Sequence, residues 1–153
     1  MRRYAIAFLM MAAISAAPAA DPLAGKWLLT SQQISGQDAA SRPLTLEIRP
    51  LGNALEFEYS VPLKNSRVVS LRFVARLDGS PGDIKDARDR KIGTAKVLRN
   101  GAGEYSVLLE GPNRPTASGK MKLSADGKTL TCTSDSTAPG GVRTHTVQVF
   151  ARQ

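Results

Sequence analysis

The chain holds one histidine, His145, and one cysteine, Cys132. Structural zinc sites draw four ligands mainly from Cys and His, so this chain lacks the material for one. A Ser-His-Asp triad needs its histidine beside a carboxylate, and no spacing around Arg143, Thr144, Thr146 and Val147 points to a partner for His145. It reads as a structural or surface residue. Cys132 alternates with Thr131 and Thr133 on the same side as Leu130, which reads as a small buried apolar residue. A disulfide framework is excluded. Paired carboxylates can hydrolyse glycosides when they face each other across a cleft. Glu56 and Glu58 are instead i and i+2 on one strand face, and the alternation directs both to solvent. No Gly-x-Ser-x-Gly elbow, phosphate loop or dinucleotide fingerprint occurs, and Gly101-Ala102-Gly103 is a turn. These features predict no catalytic residues, no metal, no cofactor and a non-enzymatic protein.

Charge offers a second kind of chemistry. The formal net charge is +8, and residues 64–99 hold ten Lys or Arg against four Asp. Such a face could meet nucleic acid, anionic lipid or an acidic glycan. Nucleic-acid sites on sheets add stacking aromatics. Phe73 is the one aromatic in the stretch, and alternation points it inward. The expectation is therefore a solvated face and no nucleic-acid partner, with an interaction surface as the alternative.

The first residues read as an address. Arg2 and Arg3 precede a short apolar run over 4–14, and Ser15-Ala16-Ala17-Pro18-Ala19-Ala20 supplies small residues with an Ala-x-Ala pattern. That order predicts a secretory signal peptide over 1–20, with cleavage after Ala19 equally compatible. The run is too short to cross a bilayer, which takes about 20 residues, and no second apolar span follows. Export to the periplasm or beyond is the expectation. Residues 21–153 are long enough for one domain.

The elements that must carry any site are strands. Leu44, Leu46 and Ile48 alternate with polar residues. So do Leu55, Phe57, Tyr59 and Val61; Val69, Leu71, Phe73 and Ala75; and Tyr105, Val107 and Leu109. Period two with one apolar face marks half-buried antiparallel strands. Turn signals such as Leu51-Gly52-Asn53, Asp78-Gly79-Ser80-Pro81-Gly82 and Asp126-Gly127 punctuate them. The pattern places strands near 25–33, 43–49, 54–61, 67–77, 90–98, 104–110, 116–124, 128–134 and 142–152. Residues 83–91 read as one helical turn or a short strand, and 35–41 as a polar loop. Eight to ten short strands joined by hairpins favour an all-β, up-and-down barrel, because closure removes unpaired edges. A β-sandwich is the alternative.

Gly25-Lys26-Trp27, opening the first strand, resembles the Gly-x-Trp motif of lipocalins. The stretch Ser124-Ala125-Asp126-Gly127-Lys128-Thr129-Leu130-Thr131, the closing Val147-Gln148-Val149-Phe150-Ala151-Arg152-Gln153 and the corner Phe73-Val74-Ala75-Arg76-Leu77-Asp78-Gly79 are similar to small exported bacterial lipocalin-like (calycin-type) proteins. The middle lipocalin motif, Thr-Asp-Tyr, is absent. The resemblance implies a lipocalin-like barrel in which Trp27 plugs the base and Arg152 of the last strand lies across it. It also implies a small apolar or amphipathic ligand in the interior, for which the inward Tyr59, Phe73 and Tyr105 are candidate contacts. The alternative function is a structural or envelope-interaction module that uses the basic outer surface.

Overall fold

The computed structural model of the chain describes residues 20–40, 43–63 and 66–153. The signal peptide read over 1–20 therefore lies outside the described residues, apart from Ala20. Eleven strands run in chain order: β1 (Gly25–Ile34), β2 (Gln37–Asp38), β3 (Thr45–Leu51), β4 (Ala54–Leu63), β5 (Ser66–Ala75), β6 (Asp78–Lys85), β7 (Lys91–Gly101), β8 (Glu104–Glu110), β9 (Thr116–Leu123), β10 (Thr129–Thr137) and β11 (Arg143–Arg152). From β3 onward each pairs antiparallel with its sequence neighbour. β1 pairs with both β3 and β11, which closes a ten-stranded barrel; β2 only folds back on the end of β1. The closing seam runs from Trp27 opposite Arg152 to Ile34 opposite Thr146. Among the described residues there is no helix, and none long and apolar enough to cross a membrane.

The alternation decides what is inside. Trp27 and Leu29, Leu46 and Ile48, Leu55 and Phe57, Ala95 and Val97, Leu130 and Phe150 are all buried. Each buried large side chain contributes about 1.5–3 kcal/mol relative to exposure. Closure then spares the sheet a free edge on β1 and β11. Hairpins alternate between two ends. The base holds the start of β1, the end of β11 and the turns after β3, β5, β7 and β9. The mouth holds the turns after β1, β4, β6, β8 and β10.

Three expectations need correction. Residues 78–82 carry a turn composition yet belong to β6, which runs on through 83–85. The register slips between Asp78 and Pro81, and a bulge of that kind lets a strand carry a proline that cannot donate to the ladder. The polar loop at 35–41 contains β2. Glu58 is only 7% exposed rather than solvated, because Arg49 folds over it. Arg49 Nη2 donates to Glu58 Oε2 at 3.0 Å, and Arg49 Nε to Glu56 Oε2 at 3.1 Å. The two carboxylates thus share one cation on the outer face instead of facing each other across a cleft.

Candidate functional site

At the base, the segment before β1 turns under the barrel and Leu23 is fully buried. Asp21 shapes the turn: its Oδ1 accepts from the Leu23 N–H at 2.9 Å, and its carbonyl from the Ala24 N–H at 2.9 Å. Trp27 is fully buried and donates from Nε1 to the Leu23 carbonyl at 3.1 Å. The Arg152 guanidinium lies 4.2 Å from the Trp27 ring centroid. It donates to the carbonyls of Gly127 (2.7 Å), Ala24 (2.7 Å) and Pro22 (2.6 Å). One side chain thus ties the first strand, the last strand and the β9–β10 turn. The same contact explains the glycine of Gly-x-Trp. Gly25 has φ +147°, and a Cβ there would press on Arg152 Nη1.

Tyr105 also belongs to this end. It is 1% exposed, donates to Asp21 Oδ1 at 3.3 Å, and has the Arg99 guanidinium 5.7 Å from its ring centroid. Arg99 pairs with Asp21 as well. Phe73 is buried against Phe57, the rings stacked with centroids 4.8 Å apart. Neither Tyr105 nor Phe73 reaches the interior space described next.

Toward the mouth the core opens into a cavity of about 310 Å³. Leu44, Tyr59, Leu71, Leu109, Cys132 and Gln148 are among its walls. The volume lies at the lower end of small-ligand sites, which span roughly 300–1,000 Å³ and are apolar with a few polar groups. Here the inward ones are a phenol, a thiol, an amide and the Ser134 hydroxyl, and Ser70, Ser118, Lys120 and Thr133 border the same space. Of the three aromatic candidates, Tyr59 alone lines the cavity; Gln148 and Cys132, not singled out as contacts by the sequence, join it. Burial raises the Tyr59 phenol above its ordinary value, with Cys132 adding to the effect. It is a neutral hydroxyl, able to donate and accept.

Burial likewise pushes the Cys132 thiol up to about 12 from 9. Thiolate is the reactive form, so Cys132 should react with an aromatic disulfide reagent at pH 8 at least about a hundredfold more slowly in the folded protein than in urea. Equal rates would show an exposed thiol. The shift also sets a pH dependence. The unfolded thiol loses its proton near pH 9 while the folded one keeps it, so its stabilising effect is complete below pH 9. It is lost as pH rises toward 12, with a slope of up to about 1.4 kcal/mol per pH unit. Urea midpoints of wild type and Cys132→Ala measured from pH 8 to 11 should converge as pH rises.

Six of the ten basic residues of the stretch are ion-paired in three dimensions. Arg72 and Lys85 pair with Asp89, Arg90 with Asp86, Lys91 with Asp83, Lys96 with Glu110 and Arg99 with Asp21. Exposed pairs of this kind contribute little to stability, but they remove net charge from the face. Binding to heparin should be weak and vanish by about 0.5 M salt, where the screening length is about 4 Å. Retention above that salt would establish a specific anion site.

His145 has a partner that the spacing concealed. Asp135 lies directly opposite it on β10, with Oδ1 2.7 Å from Nδ1. A serine, Ser118, lies beyond Asp135 on β9. The order across the sheet is Ser, Asp, His, whereas a nucleophilic triad needs histidine in the middle. Both members of the pair are exposed on the outer face. No group of three His, Cys, Asp or Glu among the described residues could hold a metal.

Comparisons with solved structures agree with this architecture. The chain is similar to the zebrafish ileal bile acid-binding protein complexed with cholic acid, with TM-score 0.56, 19% identity, 87% of this chain covered and 100% of that one. It is also similar to an S-type phycobiliprotein lyase from Guillardia theta, with TM-score 0.58, 12% identity, 86% of this chain covered and 89% of that one. At these identities the likeness is one of fold, a closed antiparallel calycin-like barrel. No family model matches the chain, and no curated protein matches its sequence.

Proposed function

We propose that this protein is an exported, non-enzymatic barrel that takes one small apolar or amphipathic molecule into its interior. The observation that carries the reading is the 310 Å³ cavity beneath the mouth. Its lined surface is mainly apolar, and the inward polar side chains Tyr59, Cys132, Ser134 and Gln148 are neutral, with Lys120 bordering the same space. Small barrels either fill with side chains or keep room for one ligand, and this one is packed at the base and open toward the mouth. One fold neighbour was solved with cholic acid, an amphipathic molecule. In this reading Trp27 and Arg152 close the base, Tyr59 meets the ligand, and Phe73 and Tyr105 stiffen the wall.

Native mass spectrometry of protein purified from its own host tests the proposal. A retained small molecule is expected in wild type and should be lost in Ala117→Phe, which fills the cavity wall. A bare wild-type mass, or an adduct unaffected by the filled cavity, would overturn it. The same spectrum reads the N-terminus: the mass should begin at residue 20 or 21.

A further inference from the structure

The packed base gives way to the cavity across one layer of side chains. Phe57 stands level with Ile48 and Phe73, and Leu130 with Phe150; all five are buried. Two residues further along their strands come Tyr59 on β4, Cys132 on β10 and Gln148 on β11, which form the cavity floor. Tyr59 and Cys132 have β3, β1 and β11 between them, yet the thiol is close enough to add to the upward shift of the phenol. The base satisfies its polar aromatic atoms: Trp27 Nε1 donates to the Leu23 carbonyl and the Tyr105 hydroxyl to Asp21. The floor does not. The Tyr59 hydroxyl and the Gln148 amide have no hydrogen-bond partner among the described residues. Neither is sealed in packing, and both open onto the cavity. A desolvated hydroxyl or amide without a partner is costly, and a molecule in the cavity is placed to supply one.

We propose that the ligand ends in an uncharged hydroxyl or carbonyl group, held on the cavity floor by Tyr59 and Gln148 with its apolar chain toward the mouth. This rests on the cavity reading above and names its ligand class. A phenol and an amide each donate and accept, so the pair can hold either group. The chain then lies against Leu44, Leu109 and Ala117, which line the cavity on the mouth side of the floor. An ionised head has no counter-charge on this floor. Tyr59, Cys132, Ser134 and Gln148 are its inward polar side chains, and none is a cation. A carboxylate among them would be desolvated and unpaired. Lys120 borders the cavity, but it is exposed and stands on the outward face of β9 between the inward Gly119 and Met121.

Equilibrium dialysis with octanol, octane and octanoate tests the assignment at pH 8, where a carboxylic acid is ionised. The proteins are wild type, Tyr59→Phe, Gln148→Leu, Lys120→Gln and Ala117→Phe. Wild type should bind octanol at least about tenfold more tightly than octanoate. Tyr59→Phe and Gln148→Leu should each weaken octanol by about two- to tenfold, the worth of one neutral hydrogen bond, and leave octane unchanged. Lys120→Gln should alter none of the affinities. If octanoate binds as tightly as octanol, or loses affinity in Lys120→Gln, the head is charged and the proposal is overturned. It is overturned equally if either floor substitution leaves octanol unchanged or weakens octane by the same factor. In each of those cases binding that Ala117→Phe blocks leaves the cavity reading standing. If none of the probes binds wild type, both readings fall.

Discussion

Arg152→Ala is expected to destabilise the protein by about 3 kcal/mol. Hydrogen bonds from a charged donor contribute about 1.5–3 kcal/mol each when partly buried, and Arg152 makes three, to Gly127, Ala24 and Pro22. A guanidinium over an indole adds about 0.5–2 kcal/mol. Water can reach some of the freed carbonyls, so the loss should fall short of the sum. The Trp27 emission should shift, because the variant exposes the ring face that the guanidinium covers. Arg143→Ala, at the other end of β11 and without an ion pair among the described residues, should change stability by less than about 0.5 kcal/mol. Urea unfolding followed at the single tryptophan measures both. A loss under about 1 kcal/mol for Arg152→Ala would show that the base holds without this staple.

Gly119→Ala should cost about 2–3 kcal/mol and also weaken ligand binding. Gly119 lies between Ala117 and Met121 on the inward face of β9, in the cavity wall. An added Cβ would collide with the Thr133 carbonyl oxygen and come within 3.0 Å of the Ser134 Cα. Both are backbone atoms of β10, so relief requires the strands to part where Ser134 pairs with Gly119. Overpacking of this sort costs about 1–3 kcal/mol. Gly140→Ala is the control. Nothing lies within 4 Å of a Cβ there, and it should stay within about 0.5 kcal/mol of wild type. A Gly119→Ala protein of wild-type melting temperature would mean that β9 and β10 separate freely, and the cavity wall would then be soft rather than set by strand contact.

The strand pattern was written locally, and so was the barrel. Leu46 and Ile48, Phe57 and Tyr59, and Val107 and Leu109 alternate because each strand exposes one face to the core, a property of period two that needs no partner to be visible. Uninterrupted hairpins then leave closure as the way to satisfy the two edges, and β1 does pair with β11. The export expectation rests on residues 1–20 alone, which apart from Ala20 lie outside the described residues. What local order could not show depends on which residues meet across strands. β6 hid behind Asp78-Gly79-Ser80-Pro81-Gly82 because Gly82 is set by the approach of Val74 from β5, while Gly79 alone takes the positive φ (+83°) that the turn composition suggested. Glu58 was placed in solvent because its cover comes from Arg49 on β3, and the positive stretch kept its charge on paper because Asp21 and Glu110 come from elsewhere. His145 found Asp135 only through the β10–β11 register. The cavity is the furthest from the sequence of all. It is the space left between Leu44, Leu109, Cys132 and Gln148 after four different strands or their approaches have packed, and a volume of that kind exists only once the barrel has closed around it.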